Sequence, residues 1–482
     1  MSVLENMKPE IVWKQFDEIR KIPRCSKHEE KIRNYLLDFA KTHNLESKTD
    51  DVGNVVIKKP AAAGMEKQPI VVLQSHMDMV CEKNSDVDFD FATDAIELDV
   101  NDDVLTAKGT TLGADDGIGV ATSLAILEDE SLKLGPIEAL FTVDEETGLT
   151  GAFALGSDML EGRVLLNLDS EDWGVITVGC AGGGNSDITL PVKRKKASAE
   201  MKWMKISISG LRGGHSGVDV HEQRANAVKL VSRILWRIVN DFSIAVSTIH
   251  GGDKHNAIPR EAYAIIGVSA NDQSKIRDLI NHLSEEIYEE FKPIDPKCTV
   301  EISEENPREQ TLDDASQKTL INLLHALPHG VLKMNYDIKG LVNTSTNLAK
   351  IRIEEDTVHI QLSSRSSIMS ELDDLRNRIA AMVQLAGGTV EEDEPYPGWK
   401  PNLESKVLKI AKKIYADKYG KEPVIEAIHA GLECGIIGEK FKGMDAISIG
   451  PTVKYPHSPE EQVHISTVEK FYDFVVDIMK AV

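Results

Sequence analysis

Four short apolar runs in this chain each lead into a histidine or an acid, and no other feature constrains the fold as tightly. PIVVLQS (69–75) runs into His76-Met77-Asp78, IEALFTV (137–143) into Asp144-Glu145-Glu146, and VLLNL (164–168) into Asp169. The fourth, AISIG (446–450), leads through the loop PTVKYPHSPE to His457. Short apolar runs bounded by turn residues predict strands buried on both faces, the kind found in layered α/β domains. Helical periodicity fills the gaps, in KHEEKIRNYLLDFAKTHN (27–44) and DDGIGVATSLAILEDESL (115–132). In open α/β sheets, ligands gather at the carboxyl ends of the strands. The four runs therefore deliver imidazoles and carboxylates to one edge. A further acidic pair, Asp115-Asp116, sits in the glycine-rich turn GTTLGADDGIG just ahead of a helix.

Each of these features alone has an ordinary explanation. A His-x-Asp string arises by chance, a Glu-Glu pair is usually a solvated surface, and Asp-Asp before Gly-Ile-Gly reads as a helix N-cap. Taken together, the ordinary explanations would have to coincide at one sheet edge. Two histidines and several carboxylates without cysteine suit zinc, cobalt or manganese, not a structural thiolate site. The set is also larger than one catalytic ion needs. Two ions about 3.5–4 Å apart, bridged by a carboxylate, would use it fully. Asp78 is spaced to receive the second ring N–H of His76, and one carboxylate is left over as a general base.

At 482 residues the chain exceeds a single core. After PVKRKK (191–196) its character changes to α+β. Amphipathic helices (QRANAVKLVSRILWRIV, DQSKIRDLINHLSEEIYEEF) alternate there with half-exposed strands such as TVHIQLSSRSS. EEDEPYPGWKPN (391–402) reads as a linker, after which SKVLKIAKKIYADKYG and AISIG restore the first pattern. The predicted architecture is an α/β domain with a mixed sheet flanked by helices, residues 1–188 and 393–482, interrupted by an α+β lid over 189–392. Three independent domains are the alternative. The interruption is preferred because the last strand carries a histidine that the first half needs.

A net charge of 55 − 78 = −23 excludes nucleic acid and anionic membrane as bulk partners. No apolar run approaches the ~18–20 residues of a membrane span, and the charged N-terminus lacks a signal-peptide core. Five scattered cysteines without CxxC spacing predict buried thiols, with neither a disulfide framework nor a thiolate metal site. The expectation is a cytoplasmic protein.

Eight strings of the chain resemble the M20 family of metallopeptidases, and within it the bacterial aminoacyl-histidine dipeptidases. They are SHMDMV (75–80), GTTLGADDGIG (109–119), VDEETG (143–148), LLNLDSED (165–172), GGHSG (213–217), HNAIPREA (255–262), HAGLECG (429–435) and PHSPEE (456–461). The resemblance implies that His76 and Asp169 bind one zinc, Glu146 and His457 a second, and Asp115 both, with a cis peptide to Asp116. It implies that Asp78 orients His76 and that Glu145 is the general base for a metal-bridging water. From the lid, His215 would stabilise the transition state, with His250 and His255 as rivals. Asn256 and Arg365 would hold the substrate carboxylate, and Gly431 would lie near the terminus-binding loop. The implied reaction is hydrolysis of short peptides, Xaa-His dipeptides such as carnosine among them, and a homodimer is compatible with the family. A tripeptidase or N-acyl amino acid deacylase remains the alternative enzyme, and a non-catalytic peptide- or metal-binding protein the alternative class. The remaining histidines are expected to be structural.

Overall fold

The apolar runs do form buried strands, and these frame the first half of the molecule. In this computed structural model, which describes residues 3–482, Val71–His76 and Ile137–Thr142 are buried at every position. Val164–Asn167 is buried at all but its first. The pairing is parallel throughout. His76 lies opposite Thr142, Val71 opposite Val164, and Asp445 of the strand Asp445–Ser448 opposite Val164 from the other side. These four strands are the middle of an eight-stranded sheet. Glu46–Thr49 and Val55–Lys59 extend it on one side, Val175–Cys180 and Val424–Ile428 on the other. Val55–Lys59 joins antiparallel, so the sheet is mixed. Parallel strands covered on both faces need no polar alternation, which is why their sequences are nearly continuous apolar runs. Ala114–Glu128 is one covering helix, buried along almost its whole length, and Glu10–Ile19 packs against it.

The chain divides into two compact units. The first comprises the residues up to Cys180, Trp399–Ala427 and Leu432–Val482. The second comprises Ala181–Gly398 with Ile428–Gly431. The second unit is built on an antiparallel sheet whose central strands are Ile244–Gly251, Val342–Glu354, Thr357–Ser366 and Gly182–Pro191. Val358, Ile360 and Leu362 enter its core, beside Val231 and Ile234 of the helix Ala227–Asp241. Side chains alternate along a strand, so Ser363 and Arg365 point to the opposite face. Asn347 and Ser345, their register partners, share that face.

Two expectations change here. EEDEPYPGWKPN is not a plain spacer. Thr389–Glu392 is an edge strand paired with Gly182–Pro191, and Tyr396 and Trp399 bridge to Gly183 and Cys180. Among the cysteines, Cys180, Cys298 and Cys434 are buried thiols as expected, but Cys25 and Cys81 form a disulfide. They are separated by 56 residues, with Cα atoms 5.6 Å apart. A bridge between Cys25 and Met79 lays the two segments side by side, a tertiary pairing that no local spacing could announce. Among the described residues no helix is long and apolar enough to cross a membrane.

Candidate metal centre

The strand ends of the first unit bring the predicted donors together. His76 closes its strand and is 1% exposed. Its Nε2 lies 3.0 Å from Asp115 Oδ1 and 3.3 Å from Asp169 Oδ1. The other oxygen of Asp115, Oδ2, lies 3.2 Å from His457 Nε2, which is itself 2.9 Å from Glu146 Oε2. Asp115 thus faces one histidine–carboxylate pair with each oxygen, as a carboxylate bridging two ions must. It follows the turn at Gly113 (φ 68°), and its peptide bond to Asp116 is cis. Asp116 caps the helix that follows, accepting the Gly119 N–H at 3.1 Å. The N-cap reading therefore fits Asp116, and Asp115 faces the centre.

The electrostatics describe a site that wants cations. Burial lowers the basicity of His76, but Asp169, Asp115 and Asp78 around it win, and its pKa rises well above the usual imidazole range. Hydrogen bonds to Asp115 and Glu146 raise that of His457 to about 11, against partial burial. Burial lifts the Asp169 carboxyl to about 7 even with His76 pulling the other way. Glu146 Oε1 is buried with no hydrogen-bond partner. His76, Asp115 and Glu146 each offer a donor atom within 4.8 Å of the others. Three carboxylates close around two imidazoles, an excess of negative charge that divalent cations would offset. This nitrogen and oxygen donor set fits zinc, with cobalt or manganese as alternatives.

VDEETG places its two glutamates in different surroundings. The strand ends at Thr142, Asp144 adopts φ 49°, and Glu145–Gly148 makes one helical turn. Asp78 grips that turn from below: its Oδ1 accepts the Glu145 N–H at 3.1 Å and its Oδ2 the Glu146 N–H at 3.3 Å. Oδ1 also stands 3.3 Å from His76 Nδ1, and Ser26 Oγ donates to Oδ2 at 2.7 Å. Asp78 therefore ties Glu145, Glu146 and His76 together. Glu146 joins the donor set through its contact with His457, and Glu145 adjoins it on the same turn. Burial, reinforced by Asp169, Glu433 and Glu146 and opposed by His76, pushes the Glu145 carboxyl well above the ordinary range.

Three supporting residues escape a reading of the sequence. Glu461 accepts four consecutive backbone N–H groups, from Leu112, Gly113, Ala114 and Asp115, at 2.8, 2.9, 2.7 and 3.2 Å. It sits four residues beyond His457 and so fastens the His457 loop to the Asp115 turn. Arg24, 2% exposed, donates to the carbonyls of Met77, Asp78 and Gly113. Glu433 accepts from Gln74 Nε2 at 2.6 Å and Thr142 Oγ1 at 2.8 Å. Gln74 in turn accepts from Asn167 at 2.6 Å, and Asn167 accepts from Ser448. The signal was there: Gln74, Thr142 and Asn167 are polar residues in apolar strands, and buried polar groups need partners.

In the second unit, the predicted lid residues lie around one spot. A Cβ added to Gly217 would meet the His429 carbonyl at 2.3 Å, His215 Cε1 at 3.1 Å and Arg365 Cζ at 3.2 Å. Gly431 closes the four-residue segment that His429 belongs to. His215 Nδ1 accepts the backbone N–H groups of Gly217 and Val218 at 3.3 and 3.1 Å. A neutral ring with Nδ1 as acceptor carries its proton on Nε2. Burial and the nearby Arg365 charge lower its pKa, which favours that neutral form. Asn256 is exposed, and its carbonyl accepts from Ser216 at 2.8 Å. Of the rival histidines, His250 stacks on Tyr263 with centroids 5.2 Å apart, and His255 is exposed.

Two imidazoles and three carboxylates gathered at one edge of the sheet, with the half-buried Glu145 carboxylate beside them, define a metal-dependent hydrolase. Residues 72–481 match Peptidase family M20/M25/M40, and the chain belongs to that family. It is 38% identical over 482 residues to the cytosol non-specific dipeptidase of Escherichia coli (strain K12), spanning 100% of this chain and 99% of that protein. It is also similar to the crystal structure of aminoacylhistidine dipeptidase from Vibrio alginolyticus. That match has a TM-score of 0.94 and 41% identity, and covers 100% of this chain and 98% of the other. The aminopeptidase PepT from Bacillus cereus shares the fold, with a TM-score of 0.57, 17% identity and 98% of each chain covered.

Proposed function

We propose that this protein is a cytoplasmic dinuclear-metal dipeptidase with a preference for Xaa-His substrates. The dipeptidase activity follows from family membership and from full-length similarity to two dipeptidases. The observation that carries the dinuclear reading is Asp115, with one oxygen toward His76 and Asp169 and the other toward His457 and Glu146. His76 and Asp169 would hold one ion, Glu146 and His457 the second, and Asp115 both. Bound there, divalent ions supply Lewis acidity and lower the pKa of water.

The chain's own residues do the rest. Glu145 takes the proton from the attacking water and returns it to the leaving amine, a task suited to a carboxyl whose basicity burial has raised. Asp78 keeps Glu145 and His76 in register. His215, neutral with its proton on Nε2, donates to the oxygen on which charge develops. Arg365 pairs with the substrate's carboxylate through its planar fork, assisted by Asn256, and this sets a short substrate length. Gly431 lies near the loop that would bind the substrate's terminus.

The two dipeptidase relatives differ in breadth by name, one non-specific and one aminoacylhistidine, so substrate preference is the finer half of the proposal. A panel of Xaa-His, Xaa-Leu, tripeptide and N-acetyl substrates tests it. The highest kcat/KM is expected for Xaa-His, and equal turnover of Xaa-Leu would make the enzyme a general dipeptidase. Faster cleavage of N-acetyl compounds would contradict the dipeptidase reading. Glu145→Gln should lower kcat by roughly 10²- to 10⁴-fold with metal retained, and near-normal turnover would remove Glu145 from its role.

A further inference from the structure

The segment EEDEPYPGWKPN takes no part in the reaction as described, yet it supplies a partner to Arg365. Arg365 Nη1 donates to Tyr396 Oη at 2.7 Å. Tyr396 is anchored in turn by reciprocal backbone bonds with Gly183, at 3.1 and 2.9 Å. Gly183 is the register partner of Arg365 on the neighbouring strand. The phenol lies over that glycine: a Cβ at position 183 would stand 2.5 Å from Oη and 2.8 Å from Cζ. The absence of a side chain at Gly183 therefore makes the room in which Tyr396 meets the guanidinium.

The bond is one-sided, and that matters for recognition. Arg365 is only 7% exposed, and its Nε is buried without a hydrogen-bond partner. A guanidinium presents two edges to a carboxylate, one made of both terminal nitrogens and one made of Nε and its neighbouring terminal nitrogen. With Nη1 holding the phenol, the edge made of Nε and Nη2 keeps both its donors for a ligand. A buried donor without a partner is also costly to leave unmet, which favours a ligand carrying a matching acceptor pair.

We propose that Tyr396 is a specificity-determining positioning residue that holds Arg365 so that its Nε edge receives the substrate's terminal carboxylate. This rests on the reading of Arg365 as the carboxylate anchor. Tyr396 acts through Arg365 and has no contact with the reacting bond.

The test compares a dipeptide bearing a free carboxylate with its carboxamide, using metal-loaded full-length enzyme. In Tyr396→Phe the KM for the acid should rise roughly three- to tenfold, the scale of an indirectly felt hydrogen bond to a charged group. Its kcat, and kcat/KM for the amide, should stay close to the parent values. Gly183→Ala keeps the tyrosine but displaces its hydroxyl, and should reproduce the same acid-selective rise. Arg365→Ala should abolish the preference for acid over amide. If Arg365→Ala leaves that preference intact, the carboxylate-anchor reading fails, and the Tyr396 proposal with it. If Arg365→Ala abolishes the preference while Tyr396→Phe and Gly183→Ala leave the acid KM unchanged, only the Tyr396 proposal fails. An equal loss on acid and amide in both variants would mark Tyr396 as merely structural, and would overturn the proposal as well.

Discussion

The metal edge of the first unit and the Gly217 cluster of the second are built in opposite ways. At the metal edge, His76, Glu146 and Asp169 lie at or just beyond the ends of buried strands, and Asp115 opens a buried helix. Three of the four are fixed by a further residue: Asp78 for His76 and Glu146, Glu461 for Asp115. In the Gly217 cluster, only Arg365 sits on a strand. His215 and Asn256 lie on loops that hold each other through backbone bonds, Ser216 to Asn256 and Ile258 to Gly214. A donor set for ions must be preorganised to fractions of an ångström, whereas groups that grip a substrate can adjust to it. The difference teaches which residues should behave as a block and which one at a time.

That contrast can be broken by substitution. The largest expected effect in the second unit is at His215. His215→Ala should lower kcat by about 10²- to 10³-fold, the usual loss of one donor to a developing oxyanion, while metal content stays at the parent level. Loss of metal in this variant would mean that the two regions are not separable as described. A smaller effect is expected at Glu461, which never touches the reacting groups. Glu461→Gln keeps the size but halves the acceptor capacity for the four N–H groups. Metal affinity should fall about 10- to 100-fold, as for other residues that orient ligands, with kcat recovered at saturating metal. If affinity is unchanged by titration calorimetry, the Asp115 turn holds itself without Glu461.

The same contrast explains what the sequence made legible. Strand-end donors were readable because an apolar run fixes its own end, and whatever follows lies at the sheet edge. His76, Glu146, Asp169 and His457 all follow from that rule, and the covering helix explains Asp115. Gln74, Thr142 and Asn167 were also readable in principle, as polar residues inside buried strands, although their common link to Glu433 required the fold. Nothing local marks Tyr396, because its partner is 31 residues away and its room comes from a glycine on the strand beside that partner. The Cys25–Cys81 pairing was hidden for the same reason. It depends on Arg24 and the Met79 bridge drawing two distant segments together. Of the three candidate lid histidines, the sequence could not separate His215 from His250, whereas stacking on Tyr263 gives His250 a structural occupation.

The central claim is that the two oxygens of Asp115 serve two ions, and metal content tests it most directly. Asp115→Ala and Glu145→Gln, reconstituted with zinc and freed of excess, would be compared by elemental analysis per chain. Glu145→Gln should retain about two ions and Asp115→Ala at most one, held more weakly. Two ions bound to Asp115→Ala with parent affinity would contradict the bridging role and the dinuclear centre built on it.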